Sequence, residues 1–344
     1  MSDLRVSRVG RVVSEGVTDF ITRQVPSPAD DSVVIRIKAS ALCGSDLHIF
    51  KAKHPSVPLP ATIGHEFSGD IVEVGKHVRG LTPGDRVTVE PCVACGVCEA
   101  CLHGEYGSCD QLSFIYRKGD GAMADYIMVK ASSVYRLPDS LSYEAGALIE
   151  PLAVAVHAVR RADIRIGESV LVLGAGAIGL LVAALAKRMG AAEVIVSDYS
   201  AFRLDMARTL GATRTVNPGA GDSLEDAVAA ATAGKGVDKT LECVGREETM
   251  IQAMTLLKKK GLATVVGIFE NPQVTIPVMR LVNHEIRIQG SQGYCWDFPI
   301  ALKMAGEIDL EGMVTHRFPL EGLQQALETA LDRTQNTIKI VLKP

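Results

Sequence analysis

Positive charge is in short supply in this chain. Its 36 Lys and Arg residues stand against 40 Asp and Glu, a net charge of −4, and this removes the basic footprint on which nucleic-acid binding depends. Long apolar runs are missing as well. The longest, LLVAALA at 180–186, falls far short of the roughly 20 residues that cross a bilayer. The opening MSDLRVSRVGRVVSEG lacks the apolar segment of a secretory signal, so a soluble, cytoplasmic protein without a membrane partner is expected. Cysteine is rare outside one stretch, CVACGVCEACLHGEYGSC at 92–109, which holds five of the eight. Thiols stay reduced in such a compartment, so a tight cluster points to a metal rather than to disulfides. The rest is an ordinary globular balance, 47% hydrophobic and 22% charged over 344 residues, enough for two domains with separate cores.

Within the cysteine stretch, Cys95, Cys98, Cys101 and Cys109 read Cys-x2-Cys-x2-Cys-x7-Cys, short spacings that wrap four thiolates around one tetrahedral zinc. Cys92 is then spare, although it competes with Cys95 for the first ligand position. Four thiolates leave no open coordination position, so the site is expected to pin its loop and take no part in chemistry. Scattered buried thiols and an iron–sulfur cluster are the alternatives. A zinc ribbon bound to nucleic acid would surround its cysteines with Lys and Arg, whereas this loop carries Glu99 and Glu105.

A second cluster is spread over two motifs. ALCGSDLH places Cys43, Ser45, Asp46 and His48 in a short turn, and IGHEFSG places His65 and Glu66 about twenty residues on. Taken singly they are a buried thiol, a core histidine and a solvated carboxylate. Taken together, Cys43, His65 and Glu66 supply three ligand types that zinc accepts and leave a fourth position for water or substrate, as a catalytic site requires.

Further along, SVLVLGAGAIGLLVAALAKRMGAAEVIVSD has the form strand, tight turn, helix, strand. Gly174 permits the turn, Gly176 lets the backbone approach a pyrophosphate, Gly179 lets the helix pack on its strand, and the helix N-terminus faces the phosphates. The second strand ends in Asp198, which suits the ribose hydroxyls of NAD and repels the extra phosphate of NADP. Arg203 would soften that preference unless it is a solvated residue of the helix AFRLDMARTLG, expected to stop at Gly211. VDKTLECVG and GLATVVGIF read as further buried parallel strands. Val244 and Val266 at their ends, with Ala177 and Ile178 in the turn, complete the candidate cofactor contacts. Cys243 and Cys295 have no partners at metal spacing and read as structural.

The order CGSDLH, GHEFSG, CGVCEACLHGEYGSC, GALIEPLAVAVHA, LGAGAIG and THRFPL resembles the zinc-dependent medium-chain dehydrogenase/reductase superfamily, in its polyol (sorbitol or xylitol), butanediol and threonine dehydrogenase branch. The resemblance covers essentially the whole chain. It implies an α/β protein in which a β-rich, chaperonin-10-like (GroES-like) catalytic domain, residues 1–150 and 287–344, is interrupted by a doubly wound Rossmann domain at 151–286. It makes Cys43, His65 and Glu66 ligands of a catalytic zinc, Glu150 an outer or alternate ligand, and Ser45 with His48 a proton relay to solvent. Asp46 would brace a neighbour. Glu150 could otherwise be a solvated acid before a helix whose first residue is Pro151.

The activity implied is hydride transfer from a polyol or vicinal diol to NAD, with the zinc polarising the substrate oxygen. Threonine or butanediol oxidation is the alternative, and a non-catalytic nucleotide sensor a remote one. A homodimer or homotetramer is implied too. In GSQGYCWDFP, Gly293 stands where sorbitol dehydrogenases carry an arginine, which argues against plain sorbitol specificity. Tyr294 and Trp296 are candidate substrate contacts, with packing as the other reading of Trp296.

Overall fold

The computed structural model describes residues 5–54 and 56–344. Two compact units emerge, one from Met1–Glu150 and Phe298–Pro344, the other from Pro151–Asp297. The first is β-rich. Its central strand, Ser32–Ala41, pairs antiparallel with Glu66–Val74 on one side and with Tyr126–Lys130 and Lys339–Lys343 on the other. This central position explains why side chains on both faces are covered: Val33, Val34 and Ile35 are all buried, Arg36 is exposed and Lys38 is half-buried. Arg86–Val89 and Val134–Arg136 extend the sheet at one edge and Val314–Pro319 at the other.

The register of this sheet matters for the chemistry. Ala41 lies opposite Glu66 on one side and opposite Val341 on the other. The last strand of the chain is thereby brought beside a segment that lies far from it in sequence.

The second unit is built on six parallel strands in the order Arg214–Val216, Glu193–Ser197, Ser169–Leu173, Val237–Glu242, Leu257–Val265, Arg287–Gly290. Numbered by sequence this is 3-2-1-4-5-6, the doubly wound order in which a dinucleotide lies across the point where the strand order reverses. Leu171, Leu173, Ile195 and Ala263 are buried in its core. The helix Ala201–Thr209 ends as expected, with Gly211 at φ 114°, a left-handed position that suits glycine.

The expected boundary at residue 286 falls one strand short. Arg287–Gly290 pairs in parallel with Leu257–Val265, Ile288 opposite Ala263, and so belongs to the nucleotide-type sheet. The unit runs on to Asp297, whose buried carboxylate accepts a hydrogen bond from the Cys295 N–H at 3.0 Å, meets His157 Nδ1 at 2.7 Å and pairs with Arg160.

Candidate active site and metal clusters

Cys43 follows the central strand and caps the helix Gly44–Phe50. Asp46 holds the turn in shape. One of its carboxylate oxygens accepts the Cys43 N–H at 2.9 Å and the other accepts the Gly64 N–H at 3.0 Å. A single fully buried carboxylate therefore ties the backbone at Cys43 to the backbone just before His65 and Glu66, the bracing role expected of it.

One ligand atom each from Cys43, His65 and Glu66 lies within 4.8 Å of the others. His65 is 4% exposed and its Nδ1 has no hydrogen-bond partner among the described residues. Burial presses the imidazole pKa down, but Cys43, Asp46 and Glu150 outweigh burial and push it up to about 10. The negative surroundings favour a positive charge at this point. A sulfur, a nitrogen and a carboxylate oxygen converging on a buried, electron-rich position fit zinc.

Glu66 has a partner that local sequence does not announce. Lys339, 4% exposed, donates from Nζ to the Leu42 carbonyl at 3.0 Å and to both Glu66 oxygens, the Oε1 contact at 2.6 Å. Burial alone would lower the lysine pKa, yet Glu66 and Cys43 hold it above its ordinary value. The ion pair follows from the Val341–Ala41–Glu66 register, so TIKIVLKP offers no motif that could have revealed it.

Glu150 is 4% exposed, which excludes the solvated-acid reading. The helix begins at Ile149, which places Pro151 inside the first turn rather than at its first residue. The Glu150 carboxylate acts electrostatically on both His65 and Lys339 but does not join the three-ligand group. Ser45, 7% exposed, has an Oγ without a hydrogen-bond partner among the described residues, and His48 is one helical turn further on. Tyr116 and Phe114 were not anticipated. Their rings stack with centroids 5.8 Å apart, and they lie 5.2 and 6.1 Å from the His65 ring.

The other cluster is local. Cys95, Cys98, Cys101 and Cys109 converge within 4.8 Å of one another, with Cys95 and Cys101 sulfurs 3.9 Å apart. The edge of a tetrahedron with 2.3 Å zinc–sulfur arms is about 3.8 Å. Backbone N–H groups point at the sulfurs: Cys98 and Val97 donate to Cys95 at 3.3 and 3.5 Å, and Cys95 and Gln111 donate to Cys109, both at 3.3 Å. Such donors favour thiolates, and they contribute to holding Cys109 below its ordinary pKa. Cys92 stands outside the group, in a short strand where it pairs with Phe114.

In the second unit, a Cβ on Gly179 would lie 1.8 Å from the Gly174 carbonyl oxygen, whereas one on Gly176 would meet nothing within 4 Å. Helix and strand are packed at the first position, and room for a ligand is left at the second. Gly174 has φ 94°, and Ala177 and Ile178 open the helix Ala177–Arg188. Asp198 Oδ2 accepts the Ala175 N–H at 2.7 Å and Oδ1 the Ser200 N–H at 2.8 Å, so the carboxylate is fixed beside the turn. Arg203 lies in the first turn of the next helix, where its N–H caps onto Ser200. The loop bearing Val244 is shaped by the buried Glu242, whose Oε1 accepts from Val244 N, Gly245 N and Thr249 Oγ1 at 2.7–2.9 Å. Val266 follows the next strand and donates its N–H to the Glu242 carbonyl at 2.9 Å. Burial and Glu242 push the Cys243 thiol up, in keeping with an inert residue.

Tyr294 and Trp296 part company. Tyr294 is 1% exposed and packed, so contact with a substrate would need local opening. Trp296 is 60% exposed with φ 62°, which rules out core packing for it. Gly293 also has positive φ, 53°.

Comparison with known proteins gives consistent matches over both units. Residues 29–139 match the alcohol dehydrogenase GroES-like domain and residues 177–307 the zinc-binding dehydrogenase family. Sorbitol dehydrogenase of Bacillus subtilis (strain 168) is 35% identical over 94% of this chain and 93% of its own length. D-arabitol-phosphate dehydrogenase of Enterococcus avium is 34% identical over 94% and 93%. Among solved structures, a zinc-binding dehydrogenase of Sinorhizobium meliloti 1021 bound to NADP superposes with a TM-score of 0.91 at 32% identity, covering 99% of this chain and 100% of that one.

Proposed function

Since the chain belongs to the zinc-dependent medium-chain dehydrogenases, in their polyol branch, we propose that it oxidises one secondary hydroxyl of a polyol or vicinal diol with NAD, at a site built on Cys43, His65 and Glu66. It is an oxidoreductase that moves a hydride between such an alcohol and a nicotinamide dinucleotide, with zinc as its metal. The observation that carries the site assignment is the convergence of a sulfur, a ring nitrogen and a carboxylate oxygen, from Cys43, His65 and Glu66, within 4.8 Å of one another at a position where His65 and Glu66 are buried.

Zinc held by Cys43, His65 and Glu66 would supply a Lewis acid that lowers the pKa of a bound hydroxyl. The protein's own groups do the rest. Ser45 Oγ, buried and without a hydrogen-bond partner among the described residues, accepts the substrate hydroxyl proton as its own hydroxyl proton passes to His48 and on to solvent. Glu150 holds a water or the second substrate hydroxyl from outside the ligand set, keeping its negative charge close to His65. Lys339 fixes the Glu66 carboxylate so that one orientation faces the site. The four-cysteine loop would hold a second, structural zinc.

For the dinucleotide, Gly174, Gly176, Ala177, Ile178 and Gly179 form the phosphate turn, with Val244 and Val266 flanking it. Asp198 supports NAD: its carboxylate is fixed by two backbone N–H groups, and an added ribose phosphate would face that charge. NADP in the Sinorhizobium relative makes this a real choice within the family. A cytoplasmic homodimer or homotetramer is part of the same proposal, supported by the resemblance and by cysteines at metal spacing.

The test is reduction of NAD and NADP by zinc-loaded protein over tetritols, pentitols, hexitols, inositols, their phosphates, butanediol and threonine. Turnover with one stereochemical class of polyol or diol is expected, with kcat/KM at least about tenfold higher for NAD, the scale of one misplaced charge. No turnover on any polyol or diol while zinc remains bound would sink the substrate class.

A further inference from the structure

Two carboxylates flank the glycine turn at the ends of neighbouring strands. Asp198 follows the strand on one side of Ser169–Leu173, and Glu242 ends the strand on its other side. The strand order reverses between Ser169–Leu173 and Val237–Glu242. A dinucleotide across that point has its adenosine half on the Asp198 side and its nicotinamide half on the Glu242 side.

Glu242 is fully buried, and two loops close over its carboxylate. Oε1 accepts from Val244 N, Gly245 N and Thr249 Oγ1, while the Glu242 backbone carbonyl accepts the Val266 and Gly267 N–H groups, both at 2.9 Å. A Cβ on Gly267 would lie 2.6 Å from Oε2, so the second loop packs directly against the carboxylate. One residue thus fixes both loops that carry the candidate contacts Val244 and Val266.

Its charge is not balanced by the protein. Oε2 has no hydrogen-bond partner, and Glu242 no ion-pair partner, among the described residues. Three donors on one oxygen suit a carboxylate, whereas a neutral carboxyl would present an O–H at Oε2 with no acceptor to take it. Burial pushes the neighbouring Cys243 thiol up, and the Glu242 charge adds to the effect. Glu66 and Asp297, also buried, have Lys339 and Arg160 against them. A buried carboxylate without such a cation costs stability.

We propose that the cofactor supplies the counter-charge: the Glu242 carboxylate favours the positively charged nicotinamide ring of oxidised NAD over the neutral ring of NADH. The proposal rests on the dinucleotide reading above. Glu242 lies beneath the two loops and acts through them and across them as a fixed charge, so it is a positioning residue. Hydride transfer carries one hydrogen and two electrons from the alcohol carbon to the ring, whose charge falls from +1 to zero while the hydroxyl proton leaves toward solvent. Glu242 then loses its counter-charge, and the hold on the reduced cofactor relaxes when that cofactor must leave. Two unit charges about 10 Å apart, at an effective dielectric constant of about 20, change an affinity by roughly tenfold.

The test is binding of oxidised NAD, by calorimetry, and of NADH, by its fluorescence, to zinc-loaded native protein, Glu242→Gln, Glu242→Asp and Thr249→Lys. Glu242→Gln keeps an acceptor oxygen for the three donors but removes the charge, so the Kd for NAD should rise about tenfold and that for NADH by less than about threefold. Glu242→Asp keeps the charge on a shorter arm; both affinities should fall together, with their ratio within about threefold of native. Thr249→Lys, from a half-buried position on the helix Glu247–Thr255, sets a cation beside the carboxylate. It should shift the ratio as Glu242→Gln does, and it decides the matter if Glu242→Gln does not fold. Equal weakening of both redox forms in Glu242→Gln or Thr249→Lys, or a ratio shifted as far by Glu242→Asp, would overturn the proposal while leaving the dinucleotide reading standing. Binding of neither form by the native protein would overturn that reading itself.

Discussion

The two metal-type clusters of the catalytic unit are built on opposite principles. Cys95, Cys98, Cys101 and Cys109 come from one loop, are mostly half-exposed, and have sulfurs served by backbone N–H groups of the same loop. Cys43, His65 and Glu66 come from two segments and are held by side chains from elsewhere, Asp46 across the turn and Lys339 from the end of the chain. The first cluster is a local clamp whose geometry its own spacing dictates. The second is assembled by the sheet, so its chemistry depends on the register of strands distant in sequence.

The sharpest way to break this contrast is to remove one thiol from each cluster. Cys43→Ser should lower turnover by roughly a thousandfold or more, the scale seen when a main electrostatic stabiliser of a transition state is lost, with little change in melting temperature. Cys101→Ser should do the reverse, costing several kcal/mol of stability because metal binding and loop folding are coupled. Thermal melts, zinc content and kcat on both variants check this. A Cys43→Ser variant with native turnover, or a Cys101→Ser variant with native stability and zinc content, would erase the distinction.

A smaller effect isolates the sheet-dependent brace. Lys339→Met leaves Glu66 buried without its counter-charge, a loss of about 3–5 kcal/mol for a broken buried pair. Urea unfolding of chelator-treated protein should show this in full, and zinc should recover much of it by replacing the missing positive charge. Equal unfolding of native and variant protein without zinc would show that Lys339 contributes nothing to the site. The smallest effect concerns the spare thiol: Cys92→Ser should retain native zinc content and shift stability by under about 1 kcal/mol. Loss of one zinc from that variant would move Cys92 into the ligand set and displace Cys95.

Much of the molecule was legible before its structure. The four-cysteine loop, the glycine turn before Ala177–Arg188, Asp198 at a strand end and the buried parallel strands all rest on periodicities of a few residues, and the fold reproduces each of them. The boundary at 286 failed because Arg287–Gly290 is a short edge strand, three of its four residues exposed, with no apolar run to mark it as part of a buried sheet. Tyr294 and Trp296 are two residues apart, yet one is packed and the other exposed, a difference set by the left-handed backbone at Trp296.

The sequence by itself determined the residue types and spacings that make two metal clusters and a dinucleotide turn, because ligand number, glycine geometry and helix termini act over a few residues. Only the tertiary structure decided what surrounds them: Lys339 against Glu66, and Asp46 bridging Cys43 to Gly64. These contacts join residues between three and 273 positions apart. Most arise from strand pairing and side-chain packing, whose partners no local pattern names.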